Sequence, residues 1–262
     1  MKKPRRLSDS LGRRARRPAA TAAAHEQSRR EAPAPPLEIL FEDNHCLAVN
    51  KPAGMLTMGD RTGDESLVDV VRRFLKEKYR KPGKVFLGVV HRLDRPVSGV
   101  VLFARTSKAA ARLSQQFRDN SIRKIYHAWI AGAPDPPAGE WTDFLTKDRR
   151  DNVVRAARTP AEDSRRATLK YSIRERRGRL TQLEIRPRTG RSHQIRVQLA
   201  SRGLPIVGDV KYGGRAGTPG TIALHAAELV FVHPVQSVPV SVKAAPPAAW
   251  NQFGKRAGRG LG

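Results

Sequence analysis

Val85-Phe86-Leu87-Gly88-Val89-Val90-His91-Arg92-Leu93-Asp94-Arg95-Pro96-Val97-Ser98-Gly99-Val100-Val101-Leu102-Phe103-Ala104 decides how this chain is read. Two apolar, β-branched runs, 85–90 and 100–104, have the length and composition of strands. Between them lies a polar segment from His91 to Gly99, whose shape Pro96 and Gly99 fix. Two arginines in that loop bracket one carboxylate, Asp94. Nearby cations favour the charged form of an acid, and an ionised aspartate can act as nucleophile or general base. A loop aspartate that simply pairs with an arginine is the commoner arrangement. The segment alone leaves both readings open.

The same alternation of strands and turns continues on either side. Leu37–Phe41 and Cys46–Val49 are β-rich runs around the turn signal Glu42-Asp43-Asn44. Ser66 is placed to cap a helix in which Leu67, Val70, Val71, Phe74 and Leu75 recur at helical spacing. Ser107 is placed to cap a second helix, with Leu113 and Phe117 on one face and Lys108 and Arg112 outward. Ile122–Ile130 reads as another strand. Ala167, Leu169, Tyr171 and Ile173 alternate with polar residues, and Leu183 and Ile185 follow a turn at Gly178, which predicts a hairpin. A short helix should begin near Ser192, with Ile195 and Leu199 one turn apart. Strands joined by hairpins, with helices inserted, predict an α+β fold on a mixed, largely antiparallel sheet.

The ends differ from this centre. Residues 1–36 hold ten Lys and Arg against three acids, with an alanine run and Pro33, Pro35 and Pro36. Nothing there can repay the entropy of ordering, so they read as a basic disordered tail. From Ala244 on, Pro, Ala and Gly suggest a second loose end, leaving one domain over residues 37–243. The polar stretch 149–166, rich in arginine, reads as a mobile segment, either a solvated face or an RNA contact.

Fifty Lys and Arg against twenty-four Asp and Glu give a net charge of +26, which repels itself unless a polyanion neutralises it. RNA or DNA is the expected partner, and an anionic membrane surface is the weaker alternative. No apolar run is long enough to span a bilayer. The one cysteine, Cys46, excludes an intramolecular disulfide and a multi-thiol zinc site, as suits a reducing cytoplasm. The basic start lacks the apolar core of a secretory signal. An Arg-rich, acid-poor start is also compatible with an organelle transit peptide.

His91-Arg92-Leu93-Asp94 resembles the His-Arg-Leu-Asp motif of the RluA family of RNA pseudouridine synthases, with Val97-Ser98-Gly99 where the family has Thr-Ser-Gly. Further matches occur in the family's order. Asn50-Lys51-Pro52-Ala53-Gly54 resembles its Lys-Pro-Ala-Gly turn, and Lys124-Ile125-Tyr126 its Lys-x-Tyr strand. Thr189-Gly190-Arg191-Ser192-His193-Gln194-Ile195-Arg196 resembles its Thr-Gly-Arg-x-His-Gln-Ile-Arg segment, and Gly208-Asp209 with Tyr212-Gly213 its Gly-Asp-x-x-Tyr-Gly element. The resemblance implies a catalytic Asp94 acting on a flipped uridine in ribosomal or transfer RNA. It further implies Tyr126 stacked on the base, Arg191 paired with Asp94, and Arg92 filling the space the base leaves. Base extrusion costs a few kcal/mol, which a stacking ring and a space-filling arginine offset. Arg95, Lys51, Lys124 and Arg196 are the other expected RNA contacts, and Lys51, next to Pro52, also reads as shaping a turn near the site. His91 and His193 are expected to make structural hydrogen bonds. An isomerisation of this kind needs no cofactor or metal, and a monomer is expected.

Two other readings carry less. A non-enzymatic RNA-binding protein fits the charge but leaves the collinear motifs unexplained. A kinase catalytic loop fits His91–Asp94 but lacks the Gly-rich phosphate loop and the Asp-Phe-Gly run.

The basic tail yields a test. A protein starting at Leu37 should melt at nearly the same temperature and modify the same uridine. Its log affinity for RNA should also depend less steeply on log salt, by about 0.7 for each single-strand phosphate that the tail neutralises. Equal slopes for the two proteins would remove the RNA-binding role of residues 1–36.

Overall fold

In the computed structural model, residues 37–60, 62–148, 150–215 and 220–253 are described. The basic segment 1–36, Arg149 and residues 254–262 lie outside them. The described residues build a single sheet in the order β1-β2-β4-β10-β5-β9-β8-β6-β7. Its strands are β1 (Glu38–Glu42), β2 (Cys46–Lys51), β3 (Gly88–Val89), β4 (Ser98–Ala104), β5 (Arg123–Ala131), β6 (Ala138–Asp148), β7 (Val153–Ala157), β8 (Arg165–Arg177), β9 (Leu180–Pro187), β10 (Leu224–Val232) and β11 (Pro239–Lys243). β11 pairs with β10 and β3 with β4, off the main path. Only β4 and β10 run parallel among these pairings. Among the described residues three α-helices are inserted: α1 (Leu67–Lys78), α2 (Ser107–Arg118) and α3 (Gln194–Ala200). The fold is α+β, as the hairpin pattern predicts.

Period-two alternation sorts the two central strands between two cores. Leu47, Val49, Val101 and Phe103 join one cluster with Leu67, Val71 and Leu75 of α1. Their neighbours Cys46, Ala48, Val100, Leu102 and Ala104 join the other with Ala109 and Leu113 of α2. Both faces of β2 and β4 are therefore dry, which explains why these runs are continuously apolar. α1 starts where Ser66 predicts, in a reciprocal cap: Ser66 Oγ accepts the Asp69 N–H, and Asp69 Oδ2 accepts the Ser66 N–H at 3.1 Å. α2 is capped one residue earlier than expected, by Thr106.

The expected strand 85–90 shrinks to Gly88–Val89, and the cause is competition for one edge of β4. β10 occupies that edge at Ser98–Gly99, and β3 can pair only at Phe103–Ala104. Between them the Leu102 N–H donates to a side chain, His91 Nε2, at 2.9 Å. His91 is stacked on Phe117, with ring centroids 4.6 Å apart, so its structural role is as expected.

Two expectations fail. The stretch 149–166 is not a mobile loop where it is described: Val153–Ala157 form β7 and pair with β6, and Arg165 and Arg166 open β8. Val154 is buried with Leu145, Ala167 and Val197, an apolar anchor that the surrounding arginines hide in a composition count. Nor are residues 244–253 loose. Ala244 and Trp250 are buried, and Trp250 packs edge-on against His225 and near Phe253. A single tryptophan on a five-residue 3₁₀ turn, Ala248–Gln252, is enough to fasten a Pro- and Ala-rich segment.

Burial keeps several histidines neutral. It lowers His91 to about 3, helped by the charge of Lys124, and His127 to about 4, helped by Arg174. The unfolded chain takes up protons at these rings as pH falls through 6.5, while the folded protein does not until near their lowered values. Stability contributed by the neutral rings is therefore present above pH 6.5 and is lost as pH falls below it. Wild type should lose melting temperature between pH 6.5 and 5, above the carboxylate range, and His91→Gln should show a shallower loss. An unchanged slope in His91→Gln would mean that the ring is charged in the fold.

Candidate active site

Gly99 fixes where the Asp94 loop meets the sheet. At φ +117° its missing Cβ would lie 2.2 Å from the Ala226 carbonyl oxygen, so no other residue fits without moving β10. Ser98 and Gly99 pair with His225 and Ala226 of β10, which in turn pair with His127 and Tyr126 of β5. The loop and Tyr126 are thereby brought to the same end of the sheet. The β10–β5 register shifts between Ala226 and Glu228, beside Tyr126, a local irregularity of the kind that re-aims side chains.

A second turn clamps the loop from below. Lys51 is fully buried, and its ammonium donates to the carbonyls of Pro52 (3.0 Å), Met55 (2.7 Å) and Arg95 (3.1 Å). The Gly54 N–H donates to the Arg95 carbonyl at 2.8 Å, and Arg95 Nε returns to the Gly54 carbonyl at 3.1 Å. Thr57 Oγ1 donates to the Leu93 carbonyl at 2.8 Å and accepts the Leu93 N–H at 3.2 Å. Burial pulls Lys51 down to about 7, while the Asp94 charge acts the other way. Lys51 therefore cannot touch RNA as expected; it shapes the loop that carries Asp94.

The Thr189–Arg196 segment delivers the partner of Asp94. Gln194 Oε1 accepts from Thr189 Oγ1 (2.8 Å) and the Arg191 N–H (3.1 Å), and Gln194 Nε2 donates to the Thr168 carbonyl (3.1 Å). This turn starts α3 two residues after Ser192 and points Arg196 inward. Arg196 Nη1 donates to Asp94 Oδ2 at 3.0 Å. Its Nε and Nη2 form a fork on Asp209, at 2.7 and 2.9 Å. The guanidinium lies 5.1 Å from the centroid of the Tyr212 ring. Burial disfavours its charge, but the hydrogen bonds and charges of Asp209 and Asp94 outweigh that and leave its pKa raised.

The expected Arg191–Asp94 pair is thus corrected to Arg196–Asp94. Arg191 is exposed and donates Nε to the Arg166 carbonyl at 3.3 Å. Both arginines lie in one eight-residue motif, and spacing cannot say which faces in; the helix start at Gln194 decides it. Arg196 is likewise corrected as an RNA contact, because its side chain is only 6% exposed and bonded at both ends. Asp209, 1% exposed, was missed as a site residue. His193 makes the structural hydrogen bond expected of it, Nδ1 to the Tyr212 hydroxyl at 2.6 Å, and its Nε2 lies 3.7 Å from Asp94 Oδ2.

The other expected residues fall around this centre. Asp94 keeps 32% of its side chain exposed, enough to meet a ligand. Tyr126 is half-buried, and burial, followed by the Asp94 charge, pushes its phenol well above the usual tyrosine range. Arg92 is exposed. Arg95 is exposed too, in an ion pair with Asp64 at 2.6 Å. Lys124 is half-buried, and burial lowers its pKa.

Elsewhere, Asp43, Cys46 and His233 bring ligand-type atoms within 4.8 Å of one another. Their geometry fits a clamp between turns: His233 Nε2 bonds Asp43 Oδ2 at 2.7 Å, and His233 Nδ1 accepts the Gln236 N–H at 2.9 Å. Burial pushes the Cys46 thiol up to about 12, far from the thiolate that a metal requires.

Known proteins resemble this chain over most of its length. The family model described as RNA pseudouridylate synthase matches residues 45–201. Ribosomal large subunit pseudouridine synthase D of Xanthomonas campestris pv. campestris is 37% identical over 231 residues, 81% of this chain and 66% of its own length. Dual-specificity RNA pseudouridine synthase RluA of Vibrio vulnificus is 36% identical over 75% of this chain and 78% of its own. tRNA pseudouridine synthase C of Vibrio cholerae is 32% identical over 82% of this chain and 93% of its own. Among solved structures, Human RNA Pseudouridylate Synthase Domain Containing 4 shares the fold at a TM-score of 0.69 and 22% identity, covering 88% of this chain and 93% of its own. The chain belongs to the RNA pseudouridylate synthase family. It spans just under two thirds of the length of the Xanthomonas relative.

The two motif arginines can be told apart by stability. Arg196→Met strands two carboxylates and should lower the unfolding free energy by roughly 3–5 kcal/mol. Arg191→Met, on the surface, should stay within about 0.5 kcal/mol of wild type. Denaturant unfolding of both variants checks this, and equal losses would refute the assignment of Arg196.

Proposed function

We propose that this chain is an RNA pseudouridine synthase that isomerises uridines in ribosomal or transfer RNA, with Asp94 as the catalytic carboxylate. The observation that carries the reading is the convergence of three separated motifs in one linked cluster around Asp94. Loop 91–94 supplies Asp94, while Arg196 and His193 of the second motif meet its Oδ2, held by Asp209 and Tyr212 of the third.

In this reading a uridine leaves its stack and enters beside Asp94. The carboxylate attacks the base or the sugar, or removes a sugar proton. The N1–C1′ bond breaks, the base turns, and C5 bonds to C1′. C5 then loses its proton and N1 gains one, so the product is an isomer. Tyr126 stacks on the base and stands near the C5 proton, and Arg92 fills the vacated space. Arg95 and Lys124 line the approach, and Arg191 offers an exposed cation to phosphate. The basic segment 1–36 attracts the RNA backbone without choosing the uridine. A monomer in a reducing cytoplasm is part of the same proposal, consistent with an inert, buried Cys46 thiol.

Tritium release from RNA labelled at uridine C5 tests the reading. Asp94→Asn keeps size and polarity, so it should fold and bind RNA like wild type and release no tritium above background. Tyr126→Phe should bind but turn over slowly. Substantial release by Asp94→Asn would refute the catalytic assignment.

A further inference from the structure

His193 stands beside the proposed catalytic carboxylate without a role in the chemistry. Its backbone has φ 51°, the left-handed region, at the residue that caps α3, and its side chain is 8% exposed. A non-glycine residue held in this region at a site is a sign that the position is over-determined by its surroundings. What it gains is an orientation: Nε2 lies 3.7 Å from Asp94 Oδ2, and Nδ1 lies 2.6 Å from the Tyr212 hydroxyl.

The protons on this pair follow from the bonds. Tyr212 Oη already accepts the Val154 N–H at 3.0 Å, and burial raises its pKa, so the phenol keeps its proton. That proton has one acceptor at short range, His193 Nδ1. The ring proton then sits on Nε2 and faces Asp94. The opposite tautomer would set the Nε2 lone pair against a carboxylate oxygen and leave the phenol proton without its short bond. Burial also disfavours the charged ring; the Asp94 charge opposes this, and Arg196, Lys211 and Lys147 reinforce it.

Both side chains face the same oxygen: Arg196 Nη1 donates to Oδ2 at 3.0 Å, and His193 Nε2 lies 3.7 Å from it, in electrostatic range rather than in a direct hydrogen bond. Among the described residues no hydrogen-bond donor reaches Asp94 Oδ1. We propose that His193 and Tyr212 form a positioning pair for Asp94: Tyr212 fixes His193 as the Nε2–H tautomer, and this N–H, with Arg196, turns Oδ2 inward so that Oδ1 is presented to the uridine. The inference rests on the synthase reading above. Tyr212 thus serves twice, its ring under Arg196 and its hydroxyl on His193, which ties both supports of the carboxylate to one residue.

Single-turnover kinetics on tritium-labelled RNA, with RNA affinity and melting temperature measured alongside, tests the pair. Tyr212→Phe keeps the ring under Arg196 and removes only the hydroxyl. It should lower the chemical rate on the order of 10–100-fold, the size expected when a reacting group is misplaced, with RNA affinity unchanged. His193→Leu should lose at least as much. His193→Gln carries an amide N–H to the Nε2 position without needing a tautomer fixed, and should recover most of the rate. The double variant Tyr212→Phe/His193→Gln should react as fast as His193→Gln alone, because Tyr212 acts through the imidazole. Additive losses, a loss confined to RNA affinity, or a wild-type rate in Tyr212→Phe would overturn the proposal. Should His193→Leu not fold, Tyr212→Phe and the double variant still decide it. All these variants retain Asp94, so an inactive wild type would instead overturn the synthase reading itself.

Discussion

Arg196 stands between two carboxylates, and the site is organised around that contact. A buried guanidinium needs more than one anionic partner to offset its desolvation, and its planar fork suits one bidentate partner and one further bond. Asp209 takes the fork and is itself almost fully buried, so it anchors the cation. Asp94 takes the remaining Nη1 and stays partly open to solvent. The asymmetry suits the proposed roles, a structural carboxylate at Asp209 and one left open for chemistry at Asp94. A lysine at this position would offer a point charge to two acids and fix neither.

The remainder of the fold keeps Asp94 still. Its loop has no regular structure of its own, so neighbouring groups supply the order. Lys51 gathers three carbonyls, one of them from Arg95, Thr57 brackets Leu93, and Gly99 lets β4 lie against β10. Placing an ammonium wholly inside the protein at Lys51 is costly; three carbonyl acceptors and a nearby carboxylate offset that only in part, and its pKa still falls to about 7. Rigidity of this kind matters because a small displacement of a reacting group costs orders of magnitude in rate.

Much of this was legible in the sequence, for physical reasons that differ by region. Capping chemistry at Ser66, the continuous apolar runs of β2 and β4 and the alternation in β8 identified elements because local preference and tertiary need agree there. Asp94 and Tyr126 stood out through motif resemblance, and the sheet brings them together across β10. Three things were hidden. The choice between Arg191 and Arg196 depends on where α3 begins, which Gln194 settles by bonding back to Thr189 and Thr168. β7 carries a single buried residue, Val154, within an arginine-rich stretch, so composition argues against a strand that pairing supplies. Trp250 fastens a segment whose other residues predict looseness. In each case a long-range contact by one side chain outweighs the local composition.

A crystal structure with an RNA carrying 5-fluorouridine at the modified position tests the central arrangement most directly, since fluorine at C5 blocks the final proton loss. The expected result is a flipped base against Tyr126, with Asp94 Oδ1 bonded to the nucleotide or within about 3–3.5 Å of it, and Arg196 still on Oδ2. A base bound away from Asp94, or Arg191 in place of Arg196 on the carboxylate, would contradict it.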